Sequence, residues 1–377
     1  MKCDDKKLLQ LASGELSESE QLEVEVHLDH CEECQAAITD FASPEADWTL
    51  ASKALQGYAK TSSPALNENP AKIAVDQPTE SVLALVGLLP SLAPSDDPAS
   101  AGRIGQFEVL GIVGSGGMGI VLKAREPALD RIVAIKLLAP HLASSESAKK
   151  RFAREARSAA SVLHDNVIEI YQVGQWHGQP FLVMPYLPGP TLQDYIQQGE
   201  PLSLEQILIL ITQLASGLAA AHSQGMVHRD VKPSNVLVAS GTERAIITDF
   251  GLARTADDAS LTTAGTLTGT PGFMSPEQAR GDEIDQRSDL YSLGCVLFAL
   301  TTGRPPIDCE TGSTAIYRLR KNQIDEITEL RSDLPTWFVN LVNWLLAYEV
   351  GDRPKAAEQV ANVCERCLAH LRQPGQN

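Results

Sequence analysis

HRDVKPSN, residues 228–235, and DFG, residues 249–251, are the two stretches on which the reading of this chain turns. Two segments upstream of them carry phosphate-handling chemistry. GSGGMGIV, residues 114–121, falls between strand-like runs, where Gly114, Gly116 and Gly119 let a hairpin turn press its backbone amides onto phosphate oxygens. VAIK, residues 133–136, sets Lys136 in an apolar strand, where an unpaired ammonium is costly or loses its proton. That lysine needs an anion. Glu155, in the helix-like RFAREARSAASVL of residues 151–163, offers a carboxylate, and the α- and β-phosphates of a nucleotide offer the rest. Taken singly, the glycine turn reads as structural and the lysine as one that snorkels to the surface. Four such segments in this order, followed by SPE at 275–277, do not.

On these motifs the chain from residue 107 to the vicinity of residue 370 resembles the bacterial Hanks-type (eukaryotic-like) serine/threonine protein kinases. The resemblance implies an α+β, two-lobed fold with a sheet-rich first lobe and a helical second lobe. It also implies transfer of the γ-phosphate of ATP to serine or threonine hydroxyls of protein substrates, with Mg²⁺, or Mn²⁺ in its place. Asp230 is then the carboxylate that accepts the substrate hydroxyl's proton, and Lys232 neutralises charge on the transferring phosphoryl group. Asn235 and Asp249 are oxygen ligands suited to Mg²⁺. The nucleotide-binding set is Val113, Gly114, Ser115, Gly116, Gly117, Met118, Gly119, Val121, Ala134, Lys136, Met184, Pro185, Leu187, Asn235, Leu237 and Asp249, with Lys136 paired to Glu155.

One position departs from the family pattern. Pro185 stands in LVMPYLPGPTL, residues 182–192, where many relatives carry glutamate; proline keeps the backbone carbonyl and removes only a donor, the required amide coming from Leu187. Residues 249–277 hold six threonines and no tyrosine, and Arg229 precedes Asp230. By resemblance such an arginine binds a phosphothreonine, which makes Thr262, Thr263 and Thr266 candidates for autophosphorylation. Thr270 is better placed for a structural bond to Asp230 and Lys232. Glu277 is expected to pair with Arg353, and Asp289 to anchor the backbone around Asp230. Transient dimerisation is the expected route of that autophosphorylation.

The pattern divides the remainder of the chain. Strand-like FEVLGIVG, IVLKARE and RIVAIKLL come first, and helix-compatible stretches dominate after residue 190, so residues 103–371 are the expected catalytic domain and 372–377 a tail. Residues 42–102 contain 7 Pro, 8 Ser and 12 Ala and read as a linker, with Val82 to Leu92 apolar enough for a short docking helix. Residues 1–41 read as a separate helical module, in which Ser17 and Glu20 form a capping-box pattern. There His27 and Cys31 lie four apart on one helical face and Cys34 follows; Cys3 completes a Cys₃His set of the kind structural zinc prefers. The module resembles the zinc-binding anti-sigma module, which implies a transcription-factor or other protein partner. Unmetallated thiols are the alternative. CERC, residues 364–367, sits in a helical pattern and reads as buried thiols.

The net charge of -17 argues against a nucleic-acid partner, and its excess is uneven. Residues 1–41 carry 3 basic and 11 acidic side chains, against 25 and 30 in residues 103–377. No export signal is read at MKCDDKKLLQ, and Val82–Leu89 is far shorter than the ~20 residues that span a bilayer, so a cytoplasmic location without a membrane span is expected. Two other classes stay open: a kinase-like scaffold that binds nucleotide without transfer, and an anti-sigma regulator tuned by its kinase.

Overall fold

The computed structural model describes residues 92–116, 119–138, 146–199, 201–239, 244–250, 271–309 and 311–372. Several expectations lie outside these residues: the module and its ligands Cys3, His27, Cys31 and Cys34; the linker up to residue 91; Gly117 and Met118; Thr262, Thr263, Thr266 and Thr270; and the tail beyond Arg372. The chain forms two compact units, one comprising residues 1–149 and 175–181, the other residues 150–174 and 182–377.

The first unit is built on an antiparallel sheet. Strands β1 (Gly102–Ile104), β2 (Phe107–Gly116), β3 (Gly119–Glu126) and β4 (Arg131–Leu138) pair in sequence order; β5 (Gln172–Trp176) and β6 (Gln179–Pro185) follow in the chain, and residues 175–181 of them fall in this unit. Period-2 alternation sends Leu122, Ala124 and Ile135 into the core, all fully buried with Ile104 and Val109, while Phe107 meets Phe181 edge-on. The register pairs Gly114 with Val121 and Gly116 with Gly119, and β2 bulges between Ile112 and Gly114. Gly119 has φ 140°, a conformation that a side chain would resist, so the start of β3 needs glycine there.

The expected linker does not run to residue 102. Ala93 exchanges both backbone hydrogen bonds with Arg103 (3.1 and 2.8 Å), and Ala101 donates to the Val109 carbonyl at 2.8 Å. Asp97 pairs with Arg125 at 3.7 Å. Gly102, at φ 141°, would bring a Cβ within 2.7 Å of that of Leu92, so a glycine is what lets the incoming segment lie on the edge strand. Composition misses this because isolated backbone pairing leaves no apolar period to read.

The second unit is helical. It comprises α1 (Glu146–Ala160), most of which lies in it, α2 (Leu192–Gln198), α3 (Leu204–Ser223), the hairpin β7 (Val236–Ala239) and β8 (Arg244–Ile247), α4 (Pro276–Arg280), α5 (Gln286–Thr302), α6 (Gly312–Arg320), α7 (Ile327–Leu330), α8 (Thr336–Leu345) and α9 (Ala357–Arg372). Helix α3 starts at a capping box between Ser203 and Gln206 and buries Ile207, Leu208, Ile211, Leu214 and Leu218. It is the one described helix long and apolar enough to cross a membrane, a length and composition that a core helix shares. Helix α5 is buried from Ser288 to Thr301, and α9 contributes Val360 and Cys364 to the same core. Cys364 is fully buried and its thiol is pushed up to about 12 by burial, which fits the reading of CERC as packed thiols.

A buried ion pair joins Arg353 to Glu277 in the same core. Arg353 donates from Nη1 and Nη2 to the two carboxylate oxygens of Glu277 (2.7 and 2.8 Å), and its remaining donors reach the carbonyls of Ala347, Arg287 and Tyr348. All five guanidinium N–H groups are used, and the side chains are 0% and 2% exposed. The expected brace between Glu277 and Arg353 is present.

Candidate active site

In the first unit, β3 and β4 bring three of the expected nucleotide residues to one face of the sheet. Val121 lies opposite Lys136 in the ladder, and Ala134, two residues earlier on β4, points the same way as Lys136. Lys136 is 3% exposed and Ala134 7% exposed. Gly114, Ser115 and Gly116 close β2 and Gly119 opens β3, and Val113 on β2 is exposed.

In the second unit, residues 228–250 converge through three backbone devices. The first is Asp289, in the first turn of α5 and 1% exposed, whose carboxylate accepts the N–H groups of His228 and Arg229, both at 2.8 Å. The same carboxylate contacts His222 Nε2 at 2.8 Å. Holding two successive N–H groups on one carboxylate turns Arg229 left-handed (φ 67°), a conformation costing a non-glycine residue about 1–2 kcal/mol. The expected anchoring role of Asp289 is thus realised as geometry.

His228 is the second device. Its Nδ1 accepts the N–H of Asp230 at 3.2 Å, which leaves the ring proton on Nε2, bonded to the Thr248 carbonyl at 2.9 Å. Phe250 packs beside this fully buried ring, centroids 4.5 Å apart. The third device is the β7–β8 hairpin. Val236 pairs with Ile247, and beyond it Thr248 donates to the Asn235 carbonyl at 2.8 Å, so Asn235 and Asp249 leave the same end of one ribbon. Asp249 is left-handed there, at φ 61°. Leu237 lies on β7 and is partly exposed.

These devices assemble an ionic cluster. Lys232 Nζ lies 2.7 Å from Asp230 Oδ2, and Asn235 Nδ2 donates to the same oxygen at 3.0 Å and to the Asp230 carbonyl at 2.8 Å. With Nδ2 doubly committed, the Asn235 amide orientation is set, and its Oδ1 takes no hydrogen bond among the described residues. An uncommitted amide oxygen beside the hairpin end that carries the Asp249 carboxylate is a donor set that fits a hard cation such as Mg²⁺.

Three residues that sequence reading passed over support this cluster. Gln278 Nε2 donates to the Arg229 carbonyl at 2.7 Å. Asn166 donates to the Ala245 carbonyl at 2.8 Å and accepts the Ile247 N–H at 2.9 Å, fastening β8. His222, its side chain buried, is bound through Nε2 to Asp289. The signals were weak: a Ser-x-x-Gln box at 275–278 for the first, and none in composition for the others.

Comparison with known proteins agrees with the geometry. The protein kinase domain family matches residues 107–363, and a family described as "Putative zinc-finger" matches residues 6–35, a range that contains His27, Cys31 and Cys34 but not Cys3. The probable serine/threonine-protein kinase PknB of Lactococcus lactis is 36% identical over 68% of this chain and 41% of its own length. PknB of Mycobacterium leprae is 39% identical over 56% of this chain and 35% of its own length. PrkC of Bacillus subtilis is 35% identical over 68% of this chain and 39% of its own length. The chain therefore spans less than half the length of these relatives. The crystal structure of the Mycobacterium tuberculosis PknI kinase domain superposes with a TM-score of 0.59 at 26% identity, covering 71% of this chain and 98% of that one.

Proposed function

Because the chain belongs to the protein kinase domain family, which it matches over residues 107–363, we propose that it transfers the γ-phosphate of ATP to serine and threonine hydroxyls of proteins in signal transduction. The observation that carries this is the Asp230 carboxylate held between Lys232 and Asn235, beside the hairpin end that presents Asp249. Bound ATP with its divalent cation supplies an electrophilic phosphorus and counter-charge for the phosphate oxygens.

The chain's own residues do the rest. Asp230 orients the substrate hydroxyl and takes its proton, and Lys232 faces the negative charge that spreads over the transferring group. Asn235 Oδ1 and the Asp249 carboxylate hold the cation. Lys136 takes the α- and β-phosphates, with Glu155 as its counter-ion, while Val121, Ala134 and Leu237 cover the adenine. The glycine turn at 114–119 lays amides on the phosphates, and Met184, Pro185 and Leu187 line the base through their backbone. Incubating the protein with labelled ATP, Mg²⁺ and a generic protein substrate tests this reading. Label on phosphoserine and phosphothreonine is expected; nucleotide binding without any transfer would instead favour the scaffold.

The front module is proposed to be a zinc-stabilised docking unit for a protein partner, on the strength of the family match and the His27, Cys31, Cys34 spacing. About 40 residues bury too little surface to be secure alone, so metal would contribute much of the module's stability. The purified chain is expected to carry one equivalent of zinc by elemental analysis and to lose it on Cys31→Ser, with kinase activity retained. A metal-free parent chain would rule this out. Thr262, Thr263 and Thr266 are proposed autophosphorylation sites whose phosphate Arg229 would receive, and the kinase half is proposed to work in the cytoplasm, where ATP is found.

A further inference from the structure

Gln278 connects two segments whose cooperation the proposed reaction requires. It is the third residue of α4, at the downstream side of residues 251–270, and its amide is committed at both ends. Its Oε1 accepts the N–H of Ser275 at 2.9 Å, closing the capping box in which Ser275 Oγ accepts the Gln278 N–H at 3.4 Å. Its Nε2 donates to the Arg229 carbonyl at 2.7 Å. Flipping the amide would set oxygen against carbonyl and N–H against N–H, so the orientation is fixed by chemistry.

The carbonyl it holds belongs to the peptide that joins Arg229 to Asp230. The N–H of that same peptide is the one donated to His228 Nδ1. One peptide plane is therefore clamped at its oxygen by Gln278 and at its hydrogen by His228, directly after a residue held left-handed and directly before the proposed base. Rotating this plane changes ψ of Arg229 and φ of Asp230, and would swing the Asp230 side chain with it. We propose that Gln278 is a positioning residue for the reaction, holding the 229–230 peptide so that the Asp230 carboxylate keeps its aim at the substrate hydroxyl. It thereby links the capping of α4 to the alignment of the base. This rests on the kinase reading above, in that the reaction being positioned is phosphoryl transfer.

The capping box supplies a clean test, because glutamate can serve in it as well as glutamine. Gln278→Glu keeps an oxygen for the Ser275 N–H and replaces the donor to Arg229 by a charged acceptor. Gln278→Met removes the donor without adding charge. Ser275→Ala removes the hydroxyl of the box but leaves the clamp. Kinetics with ATP and a protein substrate, unfolding midpoints, and the amide resonance of Asp230 should be compared across the full-length parent chain and all three variants. Since a misplacement of about 1 Å can cost ~10²-fold in rate, kcat is expected to fall roughly 10–100-fold in Gln278→Glu and Gln278→Met with the KM for ATP retained. The Asp230 amide resonance is expected to shift in both. Ser275→Ala is expected to lower the unfolding midpoint with kcat close to the parent.

Parent-like kcat in Gln278→Met, or a kcat loss in Ser275→Ala as deep as in Gln278→Met, would overturn the positioning role and leave a helix cap. An unfolded Gln278→Glu leaves the decision to Gln278→Met. A parent chain that transfers no phosphate counts against the kinase reading instead. In that case the Asp230 resonance decides the clamp, an unmoved signal in Gln278→Met overturning it.

Discussion

Asp230→Asn should leave ATP binding intact and lower kcat by roughly 10²–10⁴-fold, the range that a positioned general base contributes. Asparagine is nearly the same size, so Lys232 Nζ and Asn235 Nδ2 can still meet a side-chain oxygen where they now meet Asp230 Oδ2 at 2.7 and 3.0 Å. What the amide cannot do is take a proton. Of the nucleotide-binding residues proposed here, Val121, Ala134, Lys136 and Asp249 lie elsewhere in the chain, and Asn235 keeps its bond to the residue 230 carbonyl at 2.8 Å. Nucleotide titration beside steady-state kinetics checks both halves; a loss of binding as large as the loss of rate would show that Asp230 is structural.

Arg353→Met should destabilise the helical unit by about 3–5 kcal/mol, because it strands a buried carboxylate while three backbone carbonyls lose their donors. Glu277 is 2% exposed. Burial alone would raise its pKa, but the bonds and charge of Arg353, helped by the Ser288 hydroxyl, outweigh it and hold the carboxyl below its ordinary value. The sign of the pH dependence follows. In the parent chain the pair's contribution is present above the unfolded carboxyl pKa of about 4.3 and is lost as pH falls through the lower folded value. In the variant burial is no longer outweighed by Arg353 and the folded pKa rises, so the penalty grows as pH rises past the unfolded value. Urea unfolding should therefore show the largest gap between parent and variant at neutral pH, narrowing toward pH 4. The double variant Glu277→Met, Arg353→Met should recover part of the loss, since it removes the stranded charge.

Much of this was legible in the sequence because the motifs are local. The strand-like patterns located β2, β3 and β4, and the short signatures located Asp230, Lys232 and Asn235, which the fold brings into one hydrogen-bonded cluster. Glu277, Arg353 and Asp289 were also readable, through their motifs, although their partners are distant in the chain. What was not legible depends on bonds to backbone atoms. Gln278 reaches a carbonyl 49 residues away and Asn166 one 79 residues away, and a carbonyl has no residue type for a pattern to detect. The attachment of residues 92–101 was hidden for the same reason: two backbone bonds from Ala93 hold a segment that its Pro, Ser and Ala content marks as linker. Side-chain chemistry can be read from spacing. The frame that aims it emerges only when the chain is folded.

Intact-mass measurement of the purified chain after incubation with Mg²⁺ and ATP, beside Asp249→Asn treated identically, tests the central claim most directly. The account predicts that the parent chain gains phosphoryl groups, that peptide mapping places them on serine or threonine, and that Asp249→Asn gains none. A parent chain that stays unmodified and also fails to phosphorylate a generic protein substrate, or an Asp249→Asn variant that gains phosphate as fast as the parent, would contradict it.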